Sequence, residues 1–268
     1  MSDSHAAKKR FGQHFLHDPQ VIERIVRSIN PQPGEVLVEI GPGLGALTVP
    51  LLQRHGHLHV VEIDRDVVPH LRAAVGETPG LELYLADALK FDYGSLAAPG
   101  RPLRLAGNLP YNISTPLLFH LLRFSGRVRD MHFMLQKEVV DRLTAQPDTD
   151  DYGRLTVSMA ARAQADYLFA VGPGAFRPPP RVDSAVVRLT PRPAPFAIDD
   201  LGSYDAVVIA AFSQRRKTLS NALRRLLPAA EIEAAGIDPR ARGETLSPQQ
   251  FALLANRRHA LRGAAPAA

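Results

Sequence analysis

Short apolar runs alternate along this chain with stretches whose apolar residues recur every three to four positions. Gln20–Asn30 carries Val21, Ile22, Ile25, Val26 and Ile29, one helical face, behind Asp18 as an N-cap and Pro19 in the first turn. Pro31–Gly34 ends that pattern. Glu35–Ile40 predicts a buried strand, followed by Gly41-Pro42-Gly43-Leu44-Gly45 and a helix from about Ala46 to His55. His57–Glu62 predicts a second strand, Arg65–Val75 a helix, Leu81–Leu85 a third strand and Leu103–Gly107 a fourth. A helix over about Ser114–Arg123 and a strand over Met131–Gln136 complete the series. Strands alternating with helices predict right-handed crossovers, hence a parallel sheet and a doubly wound α/β domain.

Tyr167–Val171 and Ser184–Leu189 predict two later strands that flank the proline-rich stretch Gly172–Arg181 and could close the sheet as a hairpin. Pro191–Pro195 predicts a semi-rigid linker. Beyond it the periodic segments are helical: about Tyr204–Ser213, Leu219–Leu227, Ala230–Ala235 and Pro248–Arg258. The expected organisation is a flexible basic segment over 1–17, an α/β domain over 18–192 and a small all-helical domain over 196–268.

Composition narrows the class. The chain has 268 residues, enough for one large core and a small second unit. No apolar run approaches the length of a membrane span, and Met1–Arg10 is polar and basic with no apolar segment behind it. A cytoplasmic, monomeric protein is the expectation. Zero cysteines exclude disulfides, cysteine-held zinc or iron–sulfur centres and thiolate catalysis. The net charge is +5, and arginine supplies 27 of the 32 basic residues. Arginine pairs bidentately with phosphate and stacks on bases, which favours nucleic acid as the partner.

Candidate chemistry gathers where the predicted strands end. Glu39, Gly41 and Gly43 follow the first strand, Glu62 the second, Asp87 the third and Asn108 the fourth. In open α/β sheets, ligands bind outside these carboxyl ends. Gly41-x-Gly43-x-x-Ala46 fits a loose dinucleotide fingerprint, with Glu62 about 20 residues on as a ribose-binding acid. Glu39 is badly placed for a pyrophosphate but well placed for a cationic sulfonium and its amino group. Asp87 would meet an adenine amine. Methyl transfer from S-adenosylmethionine is therefore favoured over hydride transfer from a nicotinamide.

Asn108-Leu109-Pro110-Tyr111 suits the gripping of a planar amine. The Asn108 side-chain oxygen and the Leu109 carbonyl can both accept from an amino group. Pro110 presets the backbone and keeps Leu109 extended. Tyr111 offers a face for a base to stack on, and Phe176, between glycines and prolines with little core expected nearby, could cover the other. Acceptors on a planar, conjugated amine would favour a pyramidal nitrogen with an available lone pair. Direct transfer of this kind needs no thiol, metal or strong general base. The target base would have to leave its stack.

Eight segments in order carry a resemblance to the bacterial small-subunit ribosomal RNA adenine dimethyltransferases. They are Phe11–Leu16, Glu39–Gly45, Val61–Asp64, Ala86–Leu89, Asn108–Ser114, Met134–Val139, Phe176–Ser184 and Gln214–Leu219, and together they span nearly the whole chain. The resemblance implies a Rossmann-like class I methyltransferase fold. It also implies that His14 and Leu16 close over the donor, with Gly41 against its methionine part. Glu62, with Ile63 beside it, would hold the ribose hydroxyls, and Asp87 with the Ala88 backbone the adenine. His14 stands where this family often has asparagine; its neutral ring can still donate or accept one hydrogen bond. The implied reaction is transfer of four methyl groups to two adjacent adenines in a hairpin near the 3′ end of 16S rRNA, within a 30S precursor.

Two basic clusters are candidates for RNA. Arg215-Arg216-Lys217 with Arg224-Arg225 places five positive charges in one helical region, and Lys8-Lys9-Arg10 precedes the Phe11–Leu16 segment. Phosphate contacts of this kind make binding salt-sensitive. The alternatives are the related 23S rRNA enzyme, a non-catalytic ribosome-assembly factor that keeps the pocket, and a nicotinamide dehydrogenase.

Overall fold

The computed structural model describes residues 14–98, 100–214 and 216–264. It divides into two compact units, 1–140 with 166–191 and 141–165 with 192–268.

The first unit is built on a seven-stranded sheet. Up to the last strand of that sheet, the elements of the chain in order are β1 (Phe15–Leu16), α1 (Pro19–Ile29), β2 (Val36–Ile40), α2 (Thr48–His55), β3 (Leu58–Glu62), α3 (Val68–Val75) and β4 (Leu81–Leu85). There follow β5 (Leu103–Asn108), α4 (Ser114–Leu122), β6 (Val128–Gln136), α5 (Lys137–Thr144), α6 (Arg154–Ala160), β7 (Ala163–Val171), β8 (Phe176–Arg177) and β9 (Ser184–Pro191). The order across the sheet is β4-β3-β2-β5-β6-β9-β7. Strands β2 to β6 pair in parallel, and β9 runs antiparallel to β6. This is the doubly wound α/β sheet that the alternating pattern predicts.

The first helix forms as its sequence dictates. Asp18 accepts from the backbone N–H groups of Gln20 and Val21 at 2.8 and 3.1 Å, Pro19 opens the helix, and Ile25, Val26 and Ile29 are buried. With Leu51, Leu52 and Leu71 they cover the sheet face that carries Leu58 and Val60. On β5, Arg104 is 5% exposed and holds Asp130 bidentately, Nε to Oδ1 and Nη2 to Oδ2 at 2.8 Å each. Its Nη1 donates to Glu35 at 2.9 Å and to the Asn30 carbonyl at 3.1 Å. A charge this deep is tolerated because its donors are satisfied.

The sheet reverses its order at β2. From β2 the chain builds outward through β3 and β4, then returns to place β5 on the other side of β2. Such a switch point opens a crevice at the carboxyl ends of the two central strands. Gly41 leaves β2 there and Asn108 ends β5 there.

Three expectations are corrected. The segment 1–17 is not flexible throughout: Phe15 and Leu16 pair antiparallel with Arg177 and Phe176, and the His17 N–H donates to the Ala175 carbonyl at 2.9 Å. Two residues paired with a partner about 160 positions away leave no periodicity to read. Next, 141–165 belongs to the helical unit and not to the α/β domain expected over 18–192. Tyr152 and Val157 are core residues of that unit, and the Tyr152 hydroxyl donates to the Leu246 carbonyl at 2.6 Å. The end of α5 and the whole of α6 lie in this stretch, and the periodic pattern predicts neither helix. Last, Phe176 is not short of core, as described below.

The helical unit continues with α7 (Leu201–Phe212), α8 (Leu219–Leu223), α9 (Ala229–Ala234) and α10 (Pro248–Ala264). Its core gathers Tyr204, Val207, Val208, Leu219, Leu223, Ile232 and Phe251. Helix α8 is shorter than its periodic pattern predicts. Among the described residues, no helix is long and apolar enough to cross a membrane.

Candidate active site

The strand ends of the first unit enclose a cleft of about 270 Å³. His14, Leu16, Glu39, Gly41, Gly43, Glu62, Ile63, Asp87, Ala88, Asn108, Leu109, Pro110 and Tyr111 all line it. Thirteen positions predicted from separate strand ends and from the N-terminal segment thus meet in one place.

The glycine turn forms one wall. Gly41, Gly43 and Gly45 have φ of +67°, +53° and +91°, a region that side chains rarely adopt. A Cβ on Gly43 would come within 3.1 Å of the Phe15 ring, so the turn is bare where the N-terminal segment crosses it. The carboxyl groups behind the turn are shielded from water. Glu39 is 1% exposed and accepts from Thr48 Oγ1 at 2.6 Å. Burial pushes its pKa up to about 8, with the Thr48 hydroxyl opposing and the neighbouring Glu62 adding to the rise. Glu62 is 6% exposed and accepts from the N–H groups of Ile63 and Asp64 at 2.8 Å each. Its pKa is also raised, chiefly by burial, against those backbone hydrogen bonds. Asp87 is half-buried and accepts from the Leu89 N–H at 2.9 Å.

Glu39 therefore gives the fold a pH dependence. Its unfolded carboxyl ionises near pH 4.5, whereas the folded one holds its proton to about pH 8. The folded state binds the extra proton, so stability falls as pH rises between these values and levels off above. Glu39→Gln keeps the shape without the ionisation. Its melting midpoint is expected to fall less than that of the parent between pH 5 and 8, the remainder belonging to Glu62. Parallel thermal melts check this, and equal slopes for both proteins would remove the argument.

The opposite wall is the Asn108–Tyr111 turn. Asn108 Nδ2 donates to the His14 carbonyl at 2.9 Å, which leaves Oδ1 as the acceptor end of the amide. The Leu109 N–H donates to the Met134 carbonyl at 3.1 Å, tying the turn to β6. Ile113 N–H closes onto the Pro110 carbonyl at 3.2 Å, and Ser114 Oγ onto the Tyr111 carbonyl at 3.1 Å. These bonds leave out the Leu109 carbonyl. Tyr111 shares a 2.7 Å hydrogen bond with Ser184 Oγ, which is fully buried, and its ring lies 5.7 Å from that of His14 at 28°. Burial raises the Tyr111 pKa, so the phenol stays protonated at neutral pH. His14 Nδ1 in turn meets the Pro178 carbonyl at 2.9 Å.

Phe176 is placed differently from the expectation. It is 2% exposed, belongs to the main core with Leu16 and Met134, and does not line the cleft. The β1–β8 pairing draws it inward. Thr48, Phe15 and Ser184 are the supporting residues that the sequence reading missed. Each acts on a residue outside its own element; Phe15 and Ser184 lie inside segments already singled out, and Thr48 does not.

In the helical unit, Arg216, Lys217, Arg224 and Arg225 are exposed. Arg216 lines a small hollow with Asp148, Asp150, Arg242 and Glu244. Lys8, Lys9, Arg10 and Arg215 lie outside the described residues.

The family model "Ribosomal RNA adenine dimethylase" matches residues 4–259. The chain is 55% identical to the "Ribosomal RNA small subunit methyltransferase A" of Aromatoleum aromaticum, over 94% of each chain. It is 54% identical to the protein of the same name from Acinetobacter baylyi, over 95% of this chain and 93% of that one. Among solved structures, the 23S rRNA methyltransferase ErmE superposes with a TM-score of 0.71 at 28% identity, covering 91% of this chain and 99% of ErmE. A dimethyladenosine transferase from Plasmodium falciparum gives 0.77 at 24% identity over 92% and 98%, a likeness of fold. With a family model spanning the α/β unit and most of the helical one, and relatives sharing more than half their residues, the chain belongs to the ribosomal RNA adenine dimethylase family.

Proposed function

We propose that this protein uses S-adenosylmethionine to dimethylate the N6 amines of two adjacent adenines in the 3′-terminal hairpin of 16S rRNA. It would act as a cytoplasmic monomer on a 30S precursor and so contribute to small-subunit biogenesis. The observation that carries the reading is the Asn108–Leu109 wall: an amide turned by the His14 carbonyl so that Oδ1 is its acceptor end, beside a backbone carbonyl that the turn leaves unused.

The cleft fits the donor by its chemistry. Glu62 and Asp87 offer acceptors suited to ribose hydroxyls and to an adenine amine, with the Ala88 backbone beside them and Ile63 exposed at the rim. Glu39 offers a carboxyl that a nearby positive charge would ionise. Gly41 and Gly43 leave room for close approach of the backbone, and His14 and Leu16 close the N-terminal side. When bound, S-adenosylmethionine supplies a methyl group on a positively charged sulfur.

The chain's own residues would do the rest. Asn108 Oδ1 and the Leu109 carbonyl accept hydrogen bonds from the amine N–H groups, which localises the nitrogen lone pair for attack. As the N–C bond forms the S–C bond of the donor would break, and one amine proton would be lost to solvent. Pro110 fixes the direction of that carbonyl, and Tyr111, held by Ser184, presents a face to the flipped base. Phe176 would meet the other face only if its own strand, β8, turned its ring out of the core. Alignment of nitrogen and methyl carbon contributes through proximity. Arg215, Arg216, Lys217, Arg224 and Arg225, with Lys8, Lys9 and Arg10, are the basic groups proposed for phosphate contact.

The decisive experiment is mass mapping of rRNA from a strain lacking the protein, with and without its return. Loss and recovery of dimethyladenosine confined to the 16S 3′ hairpin is expected. Labelling of 23S rRNA alone would replace the reading with that of the ErmE-like enzyme, and unchanged rRNA would leave an assembly factor.

A further inference from the structure

The end of the sheet opposite the cleft carries a histidine cluster that methyl transfer does not use. His57 stands just before β3, His59 lies within it, and Glu82 is on the edge strand β4, directly opposite His59 in the parallel register. Glu82 Oε1 is 2.9 Å from His57 Nε2, and Glu82 Oε2 is 3.4 Å from His59 Nδ1. The three groups can each offer one ligand atom so that all lie within 4.8 Å of one another. Tyr84, two residues along β4, puts its hydroxyl 3.2 Å from His59 Nδ1 while donating to Glu82 Oε2 at 2.8 Å.

We propose that His57 Nε2, His59 Nδ1 and the Glu82 carboxylate form a binding site for a borderline divalent transition cation of the Zn²⁺ kind, with solvent completing the shell.

Geometry and donor type both support this. Bonds of about 2.0–2.2 Å in a tetrahedron place donors about 3.3 Å apart, close to the two separations seen. Two imidazoles and one carboxylate suit Zn²⁺, Co²⁺, Ni²⁺ or Cu²⁺, whereas Mg²⁺ prefers an all-oxygen shell. The scaffold is preset. The Leu58 N–H donates to the Gly80 carbonyl at 2.8 Å, and a Cβ on Gly80 would come within 2.1 Å of the Gly56 carbonyl oxygen. The amino ends of β3 and β4 are thus locked side by side before any ion arrives. His55 Nδ1 bonds the His57 carbonyl and so holds the backbone that carries the first ligand. The cation would clip the edge strand β4 to β3.

The test titrates the full chain, free of any affinity tag, with ZnCl₂ by calorimetry and with CoCl₂ by visible absorption. One equivalent of Zn²⁺ is expected to bind, Co²⁺ to develop a visible d–d band, and MgCl₂ to give no heat. His57→Ala and Glu82→Gln change exposed side chains and are expected to fold. Each should weaken Zn²⁺ binding by at least the roughly 10–100-fold seen on removing groups merely behind ligands. Zn²⁺ should raise the melting midpoint of the parent but not of either variant. Equal Zn²⁺ affinity in parent and variants overturns the assignment, as does a parent chain that binds no stoichiometric Zn²⁺.

Discussion

Asn108→Ala is expected to lower methyl transfer by about 10²–10³-fold, the range for removing one group that acts on charge developing in a transition state. The alanine removes the amide oxygen proposed to accept from the target amine and leaves the Leu109 carbonyl alone at that wall. It also removes the Nδ2 hydrogen bond to the His14 carbonyl, so the N-terminal segment loses one of its ties. That segment remains fastened by the His14–Pro178 bond and by β1–β8 pairing, so the donor side of the cleft is preserved. The expected signature is a fall in single-turnover rate at saturating donor, with S-adenosylmethionine affinity changed only a few-fold. An unchanged rate would refute the amine-gripping role. A loss of donor binding equal to the loss of rate would assign Asn108 to the donor instead.

Gly107→Ala is expected to damage both fold and activity through one contact. A Cβ at Gly107 would lie 2.4 Å from the Ile40 carbonyl oxygen and 3.3 Å from its carbon. These are backbone atoms at the end of β2, so no side chain can rotate away. Relief requires β5 to shift from β2 at the switch point, one residue before Asn108 and one before Gly41. Overpacking in a core costs about 1–3 kcal/mol when side chains can adjust, and more where they cannot. The melting midpoint is therefore expected to drop by several degrees. The surviving folded fraction should also bind S-adenosylmethionine more weakly, because Gly41 and Asn108 move apart. Parent-like melting and donor affinity together would show that the two strands separate freely there.

These two substitutions separate what can be seen along the chain from what cannot. Asn108 is conspicuous in sequence because a strand end, a proline and a tyrosine surround it. Gly107 is an ordinary residue of an apolar run, and its importance comes wholly from a backbone on another strand. Glu39 and Thr48 differ in the same way. The carboxyl is noticeable beside a glycine turn, but the hydroxyl that satisfies it is one of many threonines. Phe176 reverses the lesson: surrounding glycines and prolines suggest exposure, yet a two-residue strand pairing with Leu16 places its ring in the core.

The α/β class, its strand order of appearance and the polar residue at each strand end are local properties, set by hydrophobic period and by turn chemistry, and the sequence by itself determined them. The reversal at β2, the joining of 141–165 to the helical unit, the burial of Phe176 and the convergence of His57, His59 and Glu82 were decided only by tertiary structure. Each depends on contacts between segments far apart in the chain, and a one-dimensional pattern carries no record of which distant backbone will lie alongside.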